Sequence, residues 1–214
     1  MKVKWLGHAS FLITSDAGTK VITDPYAPGG FGLNYGEIEE SADIVTVSHD
    51  HFDHNNIATI RDNPEVVRGT AKTNGIEFKG IPTYHDEAGG QQRGNNTILC
   101  FEVDGIRVCH LGDLGHPLSD EQVAKLGRID ILLLPVGGFY TIDAGVATQI
   151  CNQLTPKMIM PMHYKTDKCG FPIASVNEFL QGKKDVTKCG TREVDFKQGE
   201  LPASTQIVVL EPAL

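Results

Sequence analysis

The ten residues VSHDHFDHNN, Val47 to Asn56, hold three of the chain's eight histidines, and they follow directly on the apolar run Ile44-Val45-Thr46-Val47. Such a run reads as a buried strand, so the polar cluster begins where the chain leaves the core. Alternate residues on extended chain share a face. His49 and His51 therefore converge on one point, while the following turn swings Asp53 and His54 toward a neighbouring one. Close-packed imidazoles without a cation would be a liability, and neutral imidazole with carboxylate is the ligand set of zinc and related divalent ions. The spacing His49-x-His51-x-Asp53-His54 points to two metals rather than one. Any fold for this chain must bring further ligands to that strand end.

Candidates for those ligands recur in similar settings. His85 follows Ile81-Pro82-Thr83-Tyr84, Asp113 follows Val108-Cys109-His110-Leu111-Gly112, and His163 follows Ile159-Met160-Pro161-Met162. Singly, a histidine of this kind is more often a satisfied rim residue, and an aspartate more often a turn residue. Repetition of one arrangement makes them candidates together. His110, on the run leading to Asp113, is expected beside the metals or their supports.

The rest of the chain reads as short strands with few helices. Val3–Leu6, Ser10–Thr14 and Lys20–Thr23 open it as a meander turning at Gly7 and at Asp16-Ala17-Gly18. Further strands are expected at 44–48, 66–69, 76–81, 97–103, 107–111, 131–135, 158–161 and 206–211, with Asp104-Gly105 a hairpin turn. Ser119-Asp120-Glu121-Gln122 is a capping-box pattern ahead of Val123–Leu126, and Asp143 is placed to cap a helix over Ala144–Leu154. Ser175–Leu180 and Asn55–Arg61 are further helix candidates. Strands in runs with interspersed helices, and no G-x-G-x-x-G after the first strand, predict sheet packed on sheet with helices on the outer faces. At 214 residues the expectation is one domain spanning residues 1–214.

A net charge of -8 argues against nucleic acid or an anionic membrane as partner, since both call for cationic surface. The five scattered cysteines suggest reduced thiols rather than a disulfide framework. With no signal-peptide pattern and no apolar stretch near the ~20 residues of a membrane span, a cytoplasmic protein is expected.

H-x-H-x-D-H after a strand, then a lone histidine, a Gly-Asp turn and a late Pro-x-His, in that order, resemble the metallo-β-lactamase fold superfamily. LGHASFLI, Thr23-Asp24-Pro25, HLGDLGH, LLPVGGFYT and IMPMHY narrow the likeness to its small stand-alone metal-dependent hydrolases, the group that includes L-ascorbate-6-phosphate lactonase. The resemblance implies an α/β fold, a four-layered αββα sandwich of two mixed β-sheets with outer helices. It assigns His49, His51 and His85 to a first metal and Asp53, His54 and His163 to a second, with Asp113 bridging. Asp24 matches the aspartate that braces the motif loop. Relatives are often dimers or larger, so a homo-oligomer is implied. The redox branch of the superfamily usually carries glutamate at the second motif histidine and adds a flavin domain; His51 and the chain length speak against it.

The chemistry expected of such a site is hydrolysis, with hydroxide formed from a water shared by two divalent ions, zinc or manganese, with iron also suited to these ligands. Asp53 is the candidate to orient that water and shuttle its proton. An ester or lactone, possibly phosphorylated, is the expected small-molecule substrate; phosphodiester hydrolysis is the alternative, and a metal-stabilised metabolite-binding protein without turnover is the reading from another class. Arg93, in Ala88-Gly89-Gly90-Gln91-Gln92-Arg93-Gly94, is a candidate for an anionic substrate group, although the segment reads equally as a solvated hairpin. Tyr140 is a candidate contact in Gly137-Gly138-Phe139-Tyr140-Thr141, where a tight turn explains the glycines as well. Lys165 would meet a phosphate or else be a surface charge. His8 is expected to line the site mouth, and His116 to be a surface residue. Cys169 lacks a partner that would make it a nucleophile.

Overall fold

The computed structural model describes residues 1–30 and 32–214. In chain order the strands are β1 (Lys2–Gly7), β2 (Ser10–Thr14), β3 (Lys20–Thr23), β4 (Ile44–Thr46), β5 (Glu65–Val67), β6 (Ala71–Thr73), β7 (Ile76–Tyr84), β8 (Asn95–Val103), β9 (Ile106–His110), β10 (Ile131–Pro135), β11 (Met158–Met162), β12 (Val186–Lys188), β13 (Glu193–Asp195) and β14 (Gln206–Val209). The helices are α1 (Asp120–Leu126), α2 (Ala144–Leu154) and α3 (Val176–Leu180). They assemble into two mixed sheets, one in the order β13-β1-β2-β3-β4-β5 and the other β12-β14-β11-β10-β9-β8-β7-β6. The expected meander is present: β1, β2 and β3 pair antiparallel, after which β4 joins β3 in parallel.

Period-two alternation explains how the first sheet is buried on both faces. Val3, Trp5, Phe11, Ile13 and Ile44 join the large core shared with the second sheet. Leu6, Leu12, Ile22 and Val45 point the other way, into a smaller cluster with Tyr26, Leu33, Tyr35 and Ile38. That outer face is closed by the 24–43 segment, with no regular helix among the described residues. In the second sheet β10 is buried at every position, as a parallel strand covered on both sides is. α2 adds Ala147, Ile150, Cys151 and Leu154, at helical spacing, to the large core, and it is capped by Asp143, whose side chain accepts the Val146 N–H. The Ser119 capping box forms with both of its hydrogen bonds.

Two local readings change. Asn55–Arg61 is not an α-helix but a single 3-10 turn at Ile57–Thr59 that buries nothing, because the segment has no continuous apolar stripe and Asp62 and Asn63 leave it in left-handed backbone. β6, β12 and β13 went unanticipated because they are short and mostly exposed. Pairing with a neighbour, rather than an apolar pattern, makes them strands. None of the described helices is long and apolar enough to cross a membrane.

What this architecture does for function is to bring four strand ends together. β4 of the first sheet leads into His49–His54, and β7, β9 and β11 of the second lead into His85, Asp113 and His163. Two backbone hydrogen bonds tie the sheets at this edge, Thr97 N–H to Ser48 O at 2.9 Å and His163 N–H to His8 O at 3.1 Å. Gly112 is what lets the Asp113 turn fit beneath the motif loop: its φ is +57°, and a Cβ there would overlap Asn96 Oδ1 and the Ser48 side chain. Gly112→Ala is therefore expected to cost about 1–3 kcal/mol in chemical unfolding and to weaken metal uptake along with stability, because the residue displaced is the next one, Asp113.

Candidate metal centre

Asp113 is the hub of the site. Its Oδ2 lies 3.0 Å from His85 Nε2, 3.2 Å from His54 Nε2, 3.3 Å from His163 Nε2 and 3.9 Å from His49 Nε2. Around it the ligand atoms fall into three overlapping groups: His49, His51 and His85; Asp53, His54 and His163 with His8; and Asp24 with His49 and His54. All seven residues expected as ligands thus lie in one place.

The residues fit divalent metal on two observations. Ligands on one tetrahedral ion with bonds of about 2.0–2.1 Å stand about 3.3 Å apart, close to the separations around Asp113 and to the 3.1 Å between His49 Nε2 and His51 Nδ1. His54 Nε2 and Asp113 Oδ1 are also fully buried without a hydrogen-bond partner among the described residues, a costly state for two polar atoms that share a metal site.

Below the ligands lies a set of braces. Asp24, at φ +37°, accepts the Ser48 backbone N–H at 2.8 Å, the Ser48 hydroxyl, and His54 Nδ1–H at 2.8 Å. That last bond fixes the His54 tautomer and turns Nε2 toward Asp113. Ser48 Oγ in turn stands 2.9 Å from His49 Nδ1. His110 donates Nε2–H to Ala9 O at 2.8 Å and accepts the Gly112 N–H at 3.0 Å on Nδ1, so it supports the Asp113 turn from beneath. Asn96 was missed in the sequence. Its Oδ1 accepts the Asp113 N–H at 3.0 Å while its amide donates to Thr83 Oγ1 and Leu111 O. Nothing in the Asn95-Asn96 pair distinguishes such a brace from a turn.

Charge explains why the cluster takes up cations. Burial alone would push His54 down, but the Asp113 and Asp53 carboxylates and the hydrogen bond to Asp24 raise it well above its ordinary value. His85 is raised against its burial by Asp113. Asp113 itself is held well below the usual carboxylate range, against its burial, by His163, His54 and His85. Burial pushes His49 down to about 3 and His8 to about 4, and lowers His51 as well. The buried carboxylates thus favour positive charge on the imidazoles around them, the condition a bound cation would meet.

A cavity of about 540 Å³ opens onto these groups, lined by His51, Asp53, His85, Asp113 and His163 on its floor and by Arg93, Tyr140 and Phe171 among its walls. Arg93 Nη2 donates to Phe139 O at 3.2 Å, and the guanidinium carbon sits 5.8 Å from the Tyr140 ring centroid. The segment carrying Arg93 is no loose hairpin. It winds around Asp86, a buried carboxylate that the sequence reading passed over, which accepts backbone N–H bonds from Ala88, Gly90, Gln92 and Arg93 at 2.7–3.0 Å. Lys165 is outside the cavity lining and donates Nζ to Phe171 O at 3.0 Å. His116 is half-buried and joins Tyr84 N–H to Pro117 O, so it is not the plain surface residue expected. His8 lies deeper than the mouth position expected of it, fully buried beside Asp53. All five cysteines are free, and burial pushes the Cys169 thiol up, the wrong direction for a nucleophile.

Two mixed sheets with imidazole and carboxylate ligands gathered at their shared edge define a metal-dependent hydrolase of the metallo-β-lactamase kind. Comparison with known proteins agrees. The profile of the Beta-lactamase superfamily domain matches residues 2–163, and the chain belongs to that superfamily. A UPF0173 metal-dependent hydrolase of Archaeoglobus fulgidus is 30% identical, over 78% of this chain and 84% of its own; another, of Methanoregula boonei, is 31% identical over 78% and 83%. The crystal structure of a candidate Zn-dependent hydrolase of the metallo-β-lactamase superfamily from Thermotoga maritima has a TM-score of 0.81 at 37% identity, with 98% of each chain covered.

The pH dependence of metal uptake follows from the raised histidines. Ligation needs neutral imidazole, so an incoming ion must displace protons from His54 and His85, and affinity falls as pH drops. Calorimetric titration of divalent ion at pH 6 and pH 8, in buffers of different ionisation enthalpy, is expected to give weaker binding and more protons released at the lower pH.

Proposed function

We propose that the chain hydrolyses a small ester or lactone carrying an anionic, phosphorylated group, using two divalent ions, zinc or manganese. The observation that carries this reading is the cavity itself. Its floor is the ligand cluster, and its wall holds a guanidinium fixed in place by the Phe139 carbonyl, the Tyr140 ring and the Asp86-centred loop. When bound, the ions polarise the scissile oxygen and acidify water, so that a nucleophile is available at neutral pH.

The chain's own residues do the rest. His49, His51 and His85 would hold one ion and His54, His163 and Asp53 the other, with Asp113 between them. Asp53 is lowered below the usual carboxylate range, against its burial, chiefly by His54 and His8. It lies on the cavity floor as an acceptor that orients water and takes its proton. Arg93 binds the distal anion and sets the reacting group over the floor, while Tyr140 and Phe171 exclude water from one side. Lys165 has no part in this, since its ammonium is held by a backbone carbonyl outside the lining.

The reading is tested with metal-loaded protein on a matched panel of phosphorylated lactones, neutral lactones, simple esters and bis-p-nitrophenyl phosphate. Turnover of the phosphorylated lactones is expected to lead. Preference for the diester would make the chain a phosphodiesterase, and binding without turnover of any of them would make it a metabolite-binding protein. Arg93→Ala is expected to raise KM for the phosphorylated substrate roughly 10–100-fold, the worth of one charge-assisted hydrogen bond. It should leave KM for the neutral lactone nearly unchanged.

A further inference from the structure

His8 stands with Asp53, His54 and His163 but is not one of the seven residues expected as ligands, and the fold goes to some length to hold it. It sits in the β1–β2 turn at φ +52°, a region that costs a residue with a Cβ, and its side chain has no exposed surface. Its carbonyl accepts both Trp5 Nε1–H at 3.1 Å and the His163 N–H at 3.1 Å. Its ring lies 4.1 Å from that of His163 and 5.6 Å from Phe171, centroid to centroid, edge-on to the latter. Held this way, His8 Nε2 stands 3.2 Å from Asp53 Oδ2.

An ionised carboxylate only accepts, so a hydrogen bond at this distance calls for the tautomer of His8 with its proton on Nε2. The imidazoles of His85, His54, His163 and His49 gather around Asp113 Oδ2; the side-chain hydrogen bond of His8 goes to Asp53 instead. Asp53 needs such a partner. It lies in a turn, its last torsion is broad and two-fold, and the proposed function requires one carboxylate both to hold an ion and to meet the water. We propose that His8 is a positioning residue, whose Nε2–H locks the Asp53 carboxylate in one orientation at the second metal position. This rests on the reading of Asp53 as a metal ligand.

Two variants separate the side chain from the backbone. Asn tolerates left-handed φ and keeps the His8 carbonyl bonds, but is too short to reach Asp53; Gln restores an N–H donor at about the imidazole Nε2 distance. With wild-type stoichiometry measured first, His8→Asn is expected to weaken the second ion's binding roughly 10–100-fold in chelator competition. It should also lower kcat with KM unchanged, and His8→Gln should recover most of both. Wild-type protein that takes up fewer than two ions overturns the metal reading and this inference with it. Wild-type uptake of two ions with unchanged affinity in His8→Asn, or equal loss in both variants, overturns the role of His8 alone. Nitrogen-15 imidazole spectra of the metal-loaded wild type need no variant to fold: a proton on His8 Nε2 supports the inference, and a proton on Nδ1 instead would make His8 a ligand and overturn it.

Discussion

The structure turns on one buried carboxylate. Asp113 is almost wholly withdrawn from solvent and has four imidazole nitrogens within 3.9 Å of one oxygen, a cluster that protein groups alone do not neutralise neatly. Without metal, some of those imidazoles must carry protons to balance Asp113, Asp53 and Asp24; with metal, they would be neutral ligands and the metal would supply the charge. Either way positive charge is obligatory, because an uncompensated buried carboxylate is far too costly to persist.

Holding that arrangement falls to parts of the chain with no chemistry of their own. Asp24 joins the end of β3 to His54 and Ser48, His110 props the Gly112 turn, and Asn96 on β8 takes the Asp113 N–H. Asp24, His8 and His163 all sit in left-handed backbone. Residues with a Cβ stay there only when their surroundings over-determine them. Here the surroundings are the hydrogen bonds just named and the close meeting of the two sheets at this edge.

Much of this was legible in the sequence, for a definite reason. Histidine and carboxylate are the ligands that zinc and similar ions take where no cysteine pair is present, and strand ends follow apolar runs, so His49–His54, His85, Asp113 and His163 each announced themselves by type and setting. The long strands were equally plain, because β10 and β11 are apolar throughout. What stayed hidden depends on tertiary partners. Asn96 and Asp86 look like turn residues until the neighbouring backbone N–H groups are seen to point at them, and β6, β12 and β13 are strands only because another strand lies alongside. Asn55–Arg61 erred the other way: rich in Asn and β-branched residues, with little of it facing a core, it forms one 3-10 turn and no more. Lys165 shows the same limit, since a lysine two residues from a ligand is drawn toward a substrate only if no carbonyl claims it first.

The division of ligands between the sheets has a consequence for folding. His49, His51, Asp53 and His54 come from the loop after β4 in the six-stranded sheet, whereas His85, Asp113 and His163 come from the eight-stranded one. Neither half alone offers an ion more than a partial set. An ion that fills the site is therefore bound by the docked sheets and not by either apart, and its binding free energy adds to the cohesion of the sandwich. The large apolar core between the sheets sets the register of that docking. The ligand cluster at the edge is assembled by hydrophobic burial, and a bound metal would in turn stiffen that edge.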